Sequence, residues 1–388
     1  MNFKLAVFAT LLAIIIGVVS CSDVDLKEGI EDADGYLKAI VADVEKAKSF
    51  GTDEKSLLKI FGAKEVCYED QDLGCFRSDG PMKQTGTFPL NPKIMATTFN
   101  VYTASGKSFS ADAANPKSFS GLDFSKRVVV LIHGFGMTSS GKELKSVKDH
   151  LLVKSHDEVG AVIIVGWGRG AMMPNYLLAS ANTELVGRQV GNLLNSMKVN
   201  FGLRPENVYL VGFSLGGQVS GFAGKWTQSR YGWKVGRITG LDSAGPLFEG
   251  YPGAHLVKAD ASFVDAIHTS AGDGIELLGG KFGFVAPYGS VDFYPNGGAA
   301  QTHCGTFSLI TCNHFAAVDF YDASLHAKER CKFKGAVCDS WEDYASKKCP
   351  MYDSELGYFA EAIKKNVHAR QTFGARFLAT TKKEPFCG

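Results

Sequence analysis

The chain has no excess of charge of either sign: 41 Lys+Arg stand against 40 Asp+Glu in 388 residues. No window gathers the Lys/Arg cluster that a nucleic-acid footprint requires, which excludes a polyanion-binding role. There is no Cys-x-x-Cys pair, so a zinc site is not expected, and no Asn-x-Ser/Thr sequon, so N-glycosylation is not expected either. Internal repeats and low-complexity tracts are lacking. The apolar run Leu5–Val19 holds 15 residues without a charge, short of the roughly 20 that a membrane anchor needs. What is there is a 45% hydrophobic, 21% charged chain. That composition fits one large globular domain with extensions, or two ordinary ones.

Lys4, the run Leu5–Val19 and the small residues Ser20 and Ser22 form the pattern of a signal peptide over residues 1–22. Val18-Val19-Ser20-Cys21 also resembles a lipoprotein cleavage site, a minor alternative. Residues 23–62 are charged and helix-like, with Tyr36, Leu37, Ile40, Val41 and Val44 in one apolar stripe. Without the basic face of a membrane-seeking helix, this segment reads as a propeptide or an N-terminal extension. Beyond Cys21 there are eight cysteines, and none lies between Cys75 and Cys304. An even number in an exported chain favours disulfides and an extracellular, secreted protein.

From residue 63 to 388, short apolar runs alternate with longer helical segments. Val128–Ile132, Ala161–Val165, Val208–Phe213 and Arg237–Leu241 are expected strands; about Ala181–Asn200 and a segment from Leu215 are expected helices. Fully apolar strands alternating with helices predict an α/β fold, a mostly parallel sheet covered by helices on both faces. The strand ends, and with them the site, then fall along one edge.

Gly212-Phe213-Ser214-Leu215-Gly216 is a G-x-S-x-G sequence placed where a strand must turn into a helix. The glycines let strand and helix approach, holding the Ser214 hydroxyl up as a nucleophile. A serine needs a base, and the base needs an orienting carboxylate. In α/β-hydrolases these follow in the order Ser, Asp or Glu, His. Asp242, directly after strand Arg237–Leu241, is the preferred acid, with Asp265 and Asp292 as rivals. His314, in an expected loop beside Cys312, is the preferred base; His303 is its rival and His268 reads as structural. For the oxyanion hole, the N–H of Leu215 is one donor. The glycines of His133-Gly134-Phe135-Gly136 free the N–H of Phe135 as the second, and His133 itself reads as structural.

These segments resemble the pancreatic lipase family from about Glu65 onward. The matching stretches are Glu65-Val66-Cys67-Tyr68-Glu69, Leu73-Gly74-Cys75-Phe76, Leu131-Ile132-His133-Gly134-Phe135, Val208–Gly216 and Arg237–Asp242. Phe263–Thr269, Asp292–Gly298 and Cys312-Asn313-His314 follow in the same order. The resemblance implies the α/β-hydrolase fold and the catalytic set Ser214, Asp242 and His314. It also implies the disulfides Cys67–Cys75, Cys304–Cys312 and Cys338–Cys349, leaving Cys331 for Cys387.

Four departures shape the expected function. Only 74 residues follow His314 (388 − 314), so the family's C-terminal β-sandwich, which wants about 100, and colipase docking are not expected. The family's lid maps to Gly305, Thr306, Phe307, Ser308, Leu309, Ile310 and Thr311, as short as in phospholipases of the A1 type. Phe213 stands where the family usually has His. In the family's calcium loop, here Pro252–Asp260, only Asp260 is a carboxylate, against the six to eight oxygens that calcium wants. No metal or other cofactor is therefore expected.

The expectation is a secreted serine ester hydrolase acting on lipids at an interface. A phospholipase A1 releasing the sn-1 acyl chain is preferred because a short lid leaves room for a head group. A triacylglycerol lipase is the alternative, with Ser270–Val291 as a second flap. An inactive lipase-fold storage or lipid-binding protein is the third reading, disfavoured because all three catalytic positions are filled. Phe307, Leu309 and Ile310 are candidates to touch lipid, and Met172, Met173 and Tyr176 to line an acyl pocket; core packing is the competing role for both groups.

Overall fold

The computed structural model describes residues 62–154, 157–272, 281–305, 311–326, 332–349, 352–365 and 374–387. The expected signal peptide, nearly all of the extension, lid residues 306–310 and Cys331 lie outside them. A hairpin of β1 (Glu65–Tyr68) and β2 (Gly74–Arg77) opens the described chain and is closed by Cys67–Cys75.

Among the described residues, seven parallel strands make the centre of an eleven-stranded sheet. In spatial order they are β6 (Val159–Gly166), β5 (Arg127–Ile132), β7 (Val208–Phe213), β8 (Arg237–Leu241), β9 (Val264–Ile267), β10 (Val291–Pro295) and β13 (Gly374–Leu378). Antiparallel strands finish both edges: β3 (Thr98–Tyr102) and β4 (Ser108–Ala111) beside β6, and β11 (Lys334–Val337) and β12 (Tyr352–Glu355) beside β13.

Both sheet faces are apolar because each meets its own helical layer. Val128, Val130, Ile132 and Leu210 share a cluster with Leu185, Val190 and Leu194 of α2 (Tyr176–Phe201) and with Val219 and Phe222 of α3 (Leu215–Tyr231). Val129, Leu131, Tyr209, Val211 and Phe213 turn to the other side. There they join Leu144, Val147 and Leu151 of α1 (Lys142–Lys154) and Ala317, Phe320 and Tyr321 of α4 (Cys312–His326). Alternation along a strand sends neighbours to opposite faces, so these strands have no solvated side.

The expected strands and the helix from Leu215 lie where the sequence puts them. The helix expected from about Ala181 begins five residues earlier, at Tyr176, because Asn175 caps it by accepting from Leu178 N–H at 3.0 Å. Cys304–Cys312 and Cys338–Cys349 are formed. Cys387 is also disulfide-bonded. Among the described residues, no helix is long and apolar enough to cross a membrane.

Candidate active site

β7 runs straight into α3, and Ser214 sits at the junction with φ 55° and ψ −121°, a backbone conformation that side chains rarely tolerate. The turn is tight enough to demand its glycines. A Cβ on Gly212 would lie 2.1 Å from Gly216 O, and one on Gly216 would lie 2.1 Å from Ile132 O. Ser214 N–H donates to Leu241 O at 3.0 Å, which ties the turn to the end of β8.

Asp242 follows β8 and is fully buried. Its Oδ1 accepts from Thr269 N–H at 2.7 Å and Ser270 N–H at 3.1 Å. Its Oδ2 accepts from the Ser270 hydroxyl and from His314 Nδ1, the latter at 2.6 Å. Burial pushes this carboxyl up, but His314, Ser270 and the Thr269 N–H outweigh it and hold it below the ordinary carboxylate range. The group is therefore ionised at neutral pH.

His314 lies in the first turn of α4 rather than in the expected loop. Its ring is packed between Phe213, 4.7 Å away, and Phe282, 5.3 Å away. With Nδ1–H committed to Asp242, the Nε2 lone pair is left for a proton. The Ser214 hydroxyl makes no hydrogen bond among the described residues. Hydroxyl and imidazole share one strand end through Phe213, and such contacts commonly close only with substrate.

The rival residues are spent elsewhere. Asp265 forms a buried two-pronged pair with Arg237 at 2.8 and 3.0 Å and accepts from Thr239. Asp292 meets His268 Nε2 at 3.0 Å, while His268 Nδ1 bonds Phe284 O. His303 packs on Phe320 and Phe386, 3.6 Å from the Asp319 carboxylate.

The loop His133–Gly136 lies against the serine: a Cβ on Gly134 would stand 2.7 Å from Ser214 Cβ. The N–H groups of Phe135 and Leu215 make no hydrogen bond among the described residues, as an oxyanion hole requires. His133 is structural, as expected. It stacks on Trp167 at 5.4 Å, accepts from Trp167 N–H at 3.2 Å through Nε2, and bonds Gly134 O at 2.9 Å through Nδ1. The Phe135 ring meets Tyr176 edge-on at 5.2 Å, and Tyr176 donates to Pro246 O, so Tyr176 braces the rim. Met173 is exposed beside Gly136.

Sequence reasoning misses Ser270 and Gly283. A Cβ on Gly283 would fall 2.3 Å from Asp242 Oδ1, so the backbone here packs directly against the carboxylate. For Ser270 the available signal is positional: it lies on the chain leaving β9, the strand next to β8.

Fold and site together are those of an α/β-hydrolase with a serine at the nucleophile turn. Residues 64–386 match the Lipase family. The chain belongs to that family of carboxylic ester hydrolases, with the pancreatic lipases as relatives. It is 33% identical over 336 residues to pancreatic lipase-related protein 2 of Rattus norvegicus, covering 79% of this chain and 69% of that protein. The same figures hold for pancreatic triacylglycerol lipase of Homo sapiens. Lipase member H-A of Xenopus laevis is 36% identical over 289 residues, 70% of this chain and 59% of that protein.

The family's calcium does not fit here. Asp260, the one carboxylate of the loop 252–260, is engaged at 2.5 Å by Lys225 Nζ, which also donates to His255 O at 2.7 Å. An ammonium already stands against the loop's one carboxylate, where a calcium ion would need that charge. His303, Cys304 and Cys312 cluster as well, but both sulfurs are held in a disulfide.

Proposed function

We propose that the chain is a secreted serine hydrolase of lipid esters, working at a lipid interface as a phospholipase A1. The buried Asp242–His314 pair, held at 2.6 Å beside the Ser214 turn, is the observation that carries this reading. Ser214 Oγ attacks the ester carbonyl while His314 Nε2 takes the hydroxyl proton. The carbonyl oxygen becomes an oxyanion facing the N–H groups of Phe135 and Leu215. The imidazolium, stabilised by Asp242, returns its proton to the departing alcohol and leaves an acyl-serine. Water then repeats the sequence, delivering its proton to His314 and releasing the fatty acid. No metal or organic cofactor takes part in any of these steps.

The disulfides favour an oxidising, extracellular compartment. The short lid favours the phospholipid. Seven residues, Gly305–Thr311, are closed at their base by Cys304–Cys312. Run out and back, they reach about 12 Å, too little to roof a cleft that takes a head group. The relatives named as triacylglycerol lipases support the second reading.

Phosphatidylcholine with different acyl chains at sn-1 and sn-2, assayed beside triolein, separates these readings. The expected products are the sn-1 fatty acid and the 2-acyl lysophospholipid, lost by about 10⁶ in turnover in Ser214→Ala. Cleavage of triolein alone would establish the triacylglycerol lipase. Folded protein that neither cleaves an ester nor reacts with a serine-directed phosphonate would be a lipid-binding member of the fold.

A further inference from the structure

Ser270 is fully buried, and its side chain reaches both partners of the acid–base pair. Its hydroxyl proton goes to Asp242 Oδ2, the same oxygen that accepts from His314 Nδ1. Its oxygen lies 3.3 Å from His314 Nδ1 and accepts from Phe282 N–H at 3.3 Å. Its own N–H holds Asp242 Oδ1, and its carbonyl accepts from Gly283 N–H at 3.1 Å. A hydroxyl has one proton and two lone pairs; here the proton goes to the carboxylate, one lone pair accepts from Phe282 N–H, and the other faces the Nδ1–H that bonds Asp242. Nothing in this set serves to join sheet or helix. All of it converges on the carboxylate and on the backbone that covers it.

We propose that Ser270 is a positioning residue of the ester hydrolysis, fixing which Asp242 oxygen meets the imidazole and tempering how strongly it holds the imidazolium. The proposal rests on the Ser214–His314–Asp242 reading above. A donor to Oδ2 disperses the carboxylate's charge. Without it, Asp242 draws harder on a protonated His314, and the carboxylate is free to rotate about its Cβ–Cγ bond.

Kinetics on a soluble short-chain nitrophenyl ester, from pH 4 to 9, test this in Ser270→Ala and Ser270→Thr, with Tm as the folding check. Ser270→Ala is expected to lower kcat roughly tenfold, the loss of one hydrogen bond to a charged group. KM stays near the wild-type value, and the acid limb of kcat/KM moves to higher pH. Ser270→Thr, which keeps the hydroxyl, restores both the rate and the limb. Ser270→Cys, a near-isostere and weak donor, replaces Ala in the comparison should Ala fail to fold. An unmoved acid limb, or a lowered Tm with kcat unchanged, overturns the proposal. Labelling by a fluorophosphonate separates the two levels. No labelling of the wild type sinks the serine-hydrolase reading, whereas wild-type labelling that Ser270→Ala does not slow sinks only the role of Ser270.

Discussion

Acidification from pH 7 to 4 bears on His133, the first residue of the loop that lies against Ser214. In the fold its ring is fully buried, with Nδ1–H given to Gly134 O and Nε2 accepting from Trp167 N–H. Only the neutral tautomer satisfies both, because a second proton would face the Trp167 donor. Burial accordingly pushes its pKa down from 6.5 to about 4. The unfolded chain therefore binds a proton that the folded chain refuses between those values. Stability from this group is complete above pH 6.5 and is lost as pH falls through 4. At about 1.4 kcal/mol per pH unit, the loss comes to about 3 kcal/mol. Urea unfolding of the wild type and of His133→Gln at pH 7, 5.5 and 4 isolates it, since the other acidic groups titrate in both. The variant is expected to be less stable at pH 7, and the gap to narrow by about 3 kcal/mol on reaching pH 4. Parallel curves for the two proteins would refute the reasoning.

Gly216→Ala puts a methyl 2.1 Å from the Ile132 carbonyl, which backbone cannot easily yield; a Tm lower by several degrees and loss of phosphonate labelling are expected. Lys225→Met leaves the buried Asp260 carboxylate without its cation. A penalty of about 2–3 kcal/mol is expected in denaturant unfolding, discounted from the fully buried case because Lys225 keeps some exposure. Calcium or a chelator leaves the wild-type Tm where it was, and a wild-type Tm that rises with calcium would contradict the role given to Lys225.

Much of this site is legible in the sequence because its strands are buried on both faces. β5 and β6 are nearly uninterrupted runs of Val, Ile and Leu bounded by glycine or charge, and β7 is apolar throughout. The edge strands β3, β4 and β11 carry no such signal, being short and partly solvated. α4 is hidden for the opposite reason. Phe315, Ala316, Ala317, Val318, Phe320, Tyr321, Ala323 and Leu325 surround it almost completely, so no amphipathic stripe marks it as a helix. The sequence pattern therefore picks out His314 as a residue but suggests a loop around it. Ser270 escapes because a serine after a strand is ordinary in sequence. Only pairing β9 beside β8 brings it to Asp242.

Ser214 opens α3, which belongs to one helical layer, whereas His314 rides on α4 in the layer across the sheet. On the proposed mechanism, hydroxyl and imidazole thus come from helical layers seated on opposite faces of the sheet. Turnover becomes a gauge of how well those layers are in register. Loosening of α4 alone would silence the enzyme while most of the sheet, and nearly all of its spectroscopic signature, stayed in place.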